Sequence, residues 1–294
     1  MRSTLPICAA LLAAGMAHGQ SLKGVIDIHA HTDPDSVPRS IDAIDLARMA
    51  KERGMRGLVL KSHWEPTASM AYLVRKVVPG IEIFGGIDLN RSVGGVNPTA
   101  VERMASVKGG WGRVVWMPTF DSENQVRYSK ENRAFVPVSK GGRLLPEVVE
   151  VIGVVAKRRL TLETGHSSPA ECLMIVREAR RQGVEHIVVT HAMLPPVGMS
   201  IPQMQEAARE GAYLEFVYNA LIGPNKAFEI SDYVKAIRAV GPAHCILSSD
   251  LGQAGNPVHP DGLESFFQAL RAAGISAADI DLMAKTNPAK ALGL

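Results

Sequence analysis

The chain has 294 residues, of which 46% are hydrophobic and 21% charged, and its formal net charge at pH 7 is +3. This composition excludes a disordered chain and predicts a globular protein with a large core. Because no block of lysine and arginine and no basic patch interleaved with aromatic residues stands out, we expect no nucleic-acid partner.

The first twenty residues have the layout of a secretory signal peptide. A charged start, M-R, precedes the apolar stretch L-P-I-C-A-A-L-L-A-A-G-M-A, and small residues follow in A-H-G-Q. The apolar stretch is shorter than the roughly 20 residues that span a bilayer. We therefore expect a signal peptide at 1–20, one domain at 21–294, a periplasmic or secreted protein and no stable membrane insertion. An uncleaved tether is the alternative.

Two cysteines follow this segment, Cys172 in a predicted helix and Cys245 at the start of a predicted strand. Two cysteines do not make a disulfide framework in a chain of this size. We expect both to be small core residues, and a single bridge between them is left open.

Short β-branched runs alternate with helical segments along the rest of the chain. The pattern predicts strands at 25–29, 57–61, 81–87, 113–117, 159–163, 186–190, 212–217 and 244–248. Ser40, Asn97 and Ser168 are expected to cap helices, and Pro146 to open another. The remaining helices are expected at 67–78, 201–210, 231–240, 261–273 and from 276 onwards.

Eight strands, each followed by a helix, predict a (β/α)₈ TIM barrel of the α/β class. An open doubly wound sheet is the alternative, but no Gly-x-Gly-x-x-Gly follows the first strand. Residues 119–144, after the fourth strand, are polar and too long for an ordinary connection. Since loops at the carboxyl ends of barrel strands line the active site, we expect this insert to be a lid or substrate loop.

The first strand ends in I-D-I-H-A-H. Side chains alternate along a strand, so we expect His29 and His31 to share a face with Asp27. Two neutral imidazoles on one face at the mouth of a strand supply half of a metal site.

The other candidate ligands also follow predicted strands. They are His63 after the second strand, Glu163 and His166 at the fifth, His191 at the sixth, and Asp250 and His259 at and after the eighth. Three imidazoles and a carboxylate from His29, His31, His191 and Asp250 suit zinc, manganese or ferrous iron. Glu163 and His166 are candidates for a second metal site. His186 and His244 lie at strand starts, and we interpret both as structural or solvated.

These motifs resemble the metal-dependent amidohydrolase superfamily. The likeness rests on I-D-I-H-A-H, the histidine after the fifth strand, V-V-T-H, S-S-D and the tail N-P-A-K-A-L-G-L. With V-L-K-S-H and E-T-G-H-S-S included, the chain is similar to an uncharacterised amidohydrolase-like family. The resemblance implies a buried metal on His29, His31 and Asp250, with Asp250 as general base. It also implies that His166 and His191 hold a second metal or the substrate.

The chain departs from that superfamily at the fourth strand, where many two-metal members carry a bridging carboxylated lysine or glutamate. The strand ends W-M-P-T-F-D, with Asp121 as the nearby acid. Glu163 and Lys61 are the candidate substitutes, and we expect one or two divalent ions, zinc first. Lys61 has three interpretations: a carboxylated bridge, a cation for an anionic substrate group, or an ion-pair partner of Glu163.

The expected reaction is hydrolysis of an amide, lactone or ester bond, and by extension a phosphoester, in a small molecule. A bound dication lowers the pKa of its water towards ~7, and Asp250 would accept the proton. Lys61 and His191 would stabilise the developing charge. Substrate contacts are expected at His63, Trp64, Arg91 and His259. A decarboxylase- or hydratase-type lyase and a non-catalytic binding barrel are the alternatives, and self-association is left open.

Overall fold

Eight parallel strands form one closed sheet in the computed structural model, which describes residues 22–294. The strands are β1 (Ile26–His31), β2 (Gly57–Lys61), β3 (Glu82–Asp88), β4 (Gly112–Trp116), β5 (Thr161–Glu163), β6 (His186–Val189), β7 (Tyr213–Val217) and β8 (Cys245–Ser248). Each strand pairs with the next, and the amide of Asp250 closes the ring by donating to the carbonyl of His29 at 3.0 Å. The predicted TIM barrel is confirmed. The signal peptide predicted at 1–20 lies outside the described residues.

Helices follow the strands in the predicted alternation. They are α1 (Ala43–Glu52), α2 (Ala68–Val77), α3 (Pro98–Ala105), α4 (Glu123–Tyr128), α5 (Pro146–Arg158), α6 (Pro169–Arg181), α7 (Ile201–Arg209), α8 (Ile230–Val240), α9 (His259–Ala272), α10 (Ala277–Asp281) and α11 (Asn287–Ala291). Asn97 and Ser168 cap α3 and α6 as predicted. The cap predicted at Ser40 is wrong, because its amide donates to the carbonyl of Gly252 and the carboxylate of Asp42 caps α1 instead.

Apolar side chains pack on both faces of the sheet, inside the barrel and between the strands and the helices. The inner cluster, enclosed by the barrel, contains strand residues Ile26, Ile28, Val59, Phe84, Val114, Trp116, Val188 and Ile246. Ala289, Ala291 and Leu292 from the chain's last segment join this cluster. The hydroxyl of Thr161 donates to the carbonyl of Ala291 at 2.7 Å. The N-P-A-K-A-L tail therefore closes the amino end of the barrel and leaves the carboxyl end for a site.

β1 changes face near its end. Ile28 belongs to the inner cluster and Ala30 to the outer layer, and the pairing with β2 shifts register between Asp27 and Ala30. Past this irregularity His29 and His31 share a face, as predicted. The prediction that Asp27 shares that face is wrong, because Asp27 lies between the inner-cluster residues Ile26 and Ile28 and therefore points to the other side of the strand. Its buried carboxylate accepts the amide of His29 at 3.2 Å.

The insert after β4 contributes directly to a cavity at the carboxyl end of the barrel. It contains α4 and an antiparallel hairpin made of Ser139–Lys140 and Arg143–Leu144. Phe120, Gln125 and Tyr128 from the insert line the cavity. The insert is therefore part of the cavity wall, while its closure as a lid stays a prediction.

The structure also bears on the predictions about the two cysteines and about membrane insertion. Cys172 and Cys245 are both free and buried, so the bridge that the sequence left open is not formed between them. Burial raises the pKa of both thiols, that of Cys172 to about 12. Among the described residues, no helix is both long and apolar enough to cross a membrane.

Gly165, in the turn between β5 and His166, lies where a side chain should destabilise the protein. Its φ is +60°, and a Cβ there would lie 2.1 Å from the carbonyl oxygen of Met117. Gly141 has a φ of +57°, with no neighbouring atom within 4 Å of a Cβ. Both alanine variants pay a left-handed backbone cost, but only Gly165→Ala adds a clash. We expect it to lower the free energy of unfolding by about 1–3 kcal/mol more than Gly141→Ala does; equal losses in chemical denaturation would contradict this.

Candidate metal centre

A cavity of about 430 Å³ opens at the carboxyl end of the barrel. Six of the predicted site residues line it: His29, His31, His63, His166, His191 and Asp250. They come from the ends of five different strands. Closure of the barrel therefore brings together side chains that are far apart in the sequence.

Two histidines and an aspartate form the tightest group in this cavity. His29, His31 and Asp250 are buried, and each offers one ligand atom within 4.8 Å of the others. Oδ1 of Asp250 lies 3.1 Å from Nε2 of His29 and 3.3 Å from Nε2 of His31. Asp250 has a φ of 49°, a left-handed backbone that costs energy in a non-glycine residue. Such strain at a buried carboxylate is typical of functional sites.

Hydrogen bonds on the far side of each ring fix the positions of the protons. Nδ1 of His29 lies 3.1 Å from the carboxylate of Glu215, and Nδ1 of His31 lies 3.2 Å from the carbonyl oxygen of Lys61. Because these partners only accept, each Nδ1 donates, and in a neutral ring Nε2 then keeps its lone pair. When both rings are neutral, two lone pairs and a carboxylate oxygen thus converge, and this donor set suits a metal ion.

The charged groups around His29 also favour a positive charge at this position. Burial and the Lys61 ammonium lower the pKa of His29, but the carboxylates of Asp250 and Glu215 outweigh them and raise it to about 10. Burial raises the pKa of Glu215, yet His29 brings it down to about 2. Positive charge is therefore favoured between the two carboxylates.

Lys61 supplies a cation beside this group. Its Nζ lies 3.1 Å from Nε2 of His29, 3.9 Å from Oδ2 of Asp88 and 5.0 Å from the centre of the Trp116 ring. The proposed ion pair between Lys61 and Glu163 is wrong, because the carboxylate that Lys61 faces is Asp88. The Lys61 side chain is fully buried and does not line the cavity, and its roles as a carboxylated bridge or as a cation for a substrate anion stay predictions.

The predicted second group is only partly assembled. The rings of His166 and His191 lie 4.9 Å apart and both line the cavity. Burial lowers the pKa of His191 to about 4, and its buried Nδ1 has no hydrogen-bond partner in the described chain. Glu163 does not line the cavity, and its carboxylate accepts from the Thr190 hydroxyl at 3.0 Å. We therefore place Glu163 outside the candidate centre.

Of the four predicted substrate contacts, the structure brings only His63 to the cavity wall. Trp64 stacks on Phe120 with ring centres 6.0 Å apart and does not line the cavity. Arg91 lies beside a separate cavity, because β3 is followed by a turn that holds it there. His259 begins α9 and is fully buried, and burial lowers its pKa to about 4.

One family of proteins matches well over half of the chain. The family described as "Family of unknown function (DUF6282)" matches residues 24–215. The chain belongs to this family. The region shared with DUF6282 contains every candidate residue except Asp250 and His259. No curated protein sequence matches the chain.

Solved structures similar to this DUF6282 member share its barrel. An amidohydrolase from Pseudomonas aeruginosa has a TM-score of 0.66 at 14% identity, covering 95% of this chain and 99% of the other. The organophosphorus hydrolase from Deinococcus radiodurans has a TM-score of 0.63 at 14% identity, covering 93% of each chain. A structure from the engineering of organophosphate hydrolysis on a weak promiscuous lactonase template has a TM-score of 0.64 at 14% identity, covering 93% and 97%. These likenesses show the fold.

The sequence pattern does not reveal three residues around the site. Glu215 lies inside Y-L-E-F-V on β7, Asp88 ends β3, and Nδ2 of Asn219 donates to Oδ2 of Asp250 at 3.2 Å. A signal exists for two of them, because a carboxylate within or at the end of an apolar strand is costly unless it meets a donor or a cation. No local pattern marks Asn219.

Proposed function

We propose that this protein is a metal-dependent hydrolase that cleaves an amide, lactone or ester bond, and by extension a phosphoester, in a small molecule. The proposal is carried by one observation: Nε2 of His29 and Nε2 of His31 converge on Oδ1 of Asp250 inside the cavity. Two imidazoles and a carboxylate suit zinc first, and manganese or ferrous iron next. We expect one ion at this group, while His166 and His191 offer nitrogen atoms for a second.

The surrounding side chains supply proton transfer and charge stabilisation. A divalent ion would polarise a water molecule and the oxygen of the scissile group. The carboxylate of Asp250 faces the same point, so it accepts the proton of the attacking water and passes it to the leaving group. Asn219 holds Oδ2 of that carboxylate in place. The ammonium of Lys61 stabilises negative charge that develops on the substrate beside His29.

The names of the structural neighbours support the reaction class. Their names denote hydrolytic enzymes: an amidohydrolase, an organophosphorus hydrolase and a lactonase. We therefore choose amide, phosphoester and lactone bonds for testing. The layout of residues 1–20 supports a further proposal, that the protein works in the periplasm or as a secreted protein.

The test is turnover in ¹⁸O-labelled water. Protein reconstituted with zinc, manganese or iron is given a lactone, an aryl ester, an anilide and a phosphotriester, with metal-stripped protein as the control. We expect metal-dependent turnover of at least one substrate, with one labelled oxygen in the product. Metal-dependent product formation without the label would favour the decarboxylase-type lyase instead. Absence of turnover by metal-loaded, folded protein would contradict the hydrolase.

A further inference from the structure

The wall of the cavity at the carboxyl end of the barrel is rich in hydrogen-bond donors and poor in acids. Among the described residues, Asp250 is the one carboxylate that lines it, and Asp250 already faces the His29–His31 pair. Two cations line the same cavity, Arg39 and Lys226. The wall outside the candidate metal centre therefore favours an anionic ligand group over a cationic one.

Arg39 is the cation that is built into the wall. Its side chain is 6% exposed, and its Nε and Nη2 lie 2.8 and 2.6 Å from Oδ2 of Asp35, whose side chain is fully buried. The next amide, that of Ser40, donates to the carbonyl of Gly252 at 2.9 Å, which ties this loop to the segment after β8. Lys226, by contrast, is half exposed and pairs with Glu229.

The guanidinium group of Arg39 has a second edge to offer. Asp35 takes the edge formed by Nε and Nη2, and Nη1 has no hydrogen-bond partner in the described chain. A guanidinium carries five N–H groups in a planar fork, so the edge formed by Nη1 and the second hydrogen of Nη2 remains. This edge matches two oxygens of a carboxylate or phosphate.

We propose, on the basis of the hydrolase function above, that Arg39 binds an oxyanion group of the substrate, a carboxylate or a phosphate. Asp35 holds the guanidinium in place, and Arg39 holds the anionic end of the substrate while the bond to be cleaved lies at His29, His31 and Asp250. Neutral analogues lack this contact and leave a buried donor unpaired, which costs binding energy.

Binding of matched charged and neutral probes tests the proposal without turnover. Isothermal titration compares glutarate with glutaramide, and propyl phosphate with propanol, on wild-type protein and on Arg39→Gln and Arg39→Lys. Arg48→Gln is the matched control, because Arg48 also pairs with a nearby aspartate but is exposed. Any binding of the anions to metal is common to all four proteins, so the differences between them report on Arg39.

We expect at least one anion to bind about tenfold more tightly than its neutral counterpart, and Arg39→Gln to abolish that preference. Arg48→Gln should keep it, and the anion that shows it assigns carboxylate or phosphate. Arg39→Lys keeps a charge for Asp35 but loses the second edge, so it should lose most of the preference even if Arg39→Gln folds poorly. Equal binding of charged and neutral probes, or a preference that survives both variants, would overturn the proposal. Failure of the hydrolase would instead appear as intact anion preference without turnover.

Discussion

Asp250→Asn is expected to lower kcat/KM for any hydrolysed substrate by about 10³-fold. The side chain keeps its shape but loses the negative charge that faces Nε2 of His29 and Nε2 of His31. It also loses the ability to accept a proton from water. Steady-state kinetics of metal-reconstituted protein measures the loss, and circular dichroism confirms that the variant is folded.

The matched control for this variant is Asp261→Asn. Asp261 is exposed on α9, where it pairs with Arg53 at 2.7 Å, and it does not line the cavity. Exposed ion pairs contribute little to stability, so this variant should retain wild-type kinetics. If Asp250→Asn kept a tenth or more of wild-type activity, Asp250 would not be the general base.

Glu215→Gln should weaken metal binding by about 10–100-fold and also lower the free energy of unfolding by about 1–3 kcal/mol. The carboxylate accepts from Nδ1 of His29 at 3.1 Å, from the amide of His191 at 2.7 Å and from the hydroxyl of Ser248 at 2.5 Å. Glutamine replaces one accepting oxygen with a donor, which leaves at least one of these buried donors unpaired. Competition with a chelator measures the affinity, and chemical denaturation measures stability.

Glu163→Gln provides the comparison for this variant. Burial, together with the nearby charge of Glu215, raises the pKa of Glu163 to about 8, so its carboxyl is largely protonated at neutral pH. Glutamine therefore conserves its charge, and metal affinity should change little. Equal losses of affinity in both variants would mean that Glu163 is a ligand after all, as the sequence pattern alone suggested.

The barrel was readable from the sequence because its signals are local. Each strand of the barrel is a short apolar run, and several of the helices carry their own cap or opening proline, as at Asn97, Pro146 and Ser168. Boundaries that depend on tertiary contacts were less predictable. Ser40 has the residue type of a cap, but a contact with the loop after β8 engages its amide and moves the cap to Asp42.

The candidate centre was predictable where residue type and strand end coincide. His29, His31 and Asp250 are polar residues at the mouths of apolar strands, and strand ends meet at one rim of a barrel. Arg91 satisfies the same rule, yet the turn after β3 directs it to another cavity. Arg39 has no comparable signal in the sequence. Its position depends on Asp35 and on a contact between the loop after β1 and the segment after β8.

The most direct test of the central claim is the metal content of the folded protein, measured by elemental analysis beside a His29→Ala/His31→Ala variant. The structure predicts about one equivalent of zinc, manganese or iron in the wild type after reconstitution, and loss of that metal in the variant. A second equivalent that survives in the variant would place an additional ion at His166 and His191. If folded wild-type protein took up no metal from any of the three ions, the convergence of His29, His31 and Asp250 would not be a metal centre.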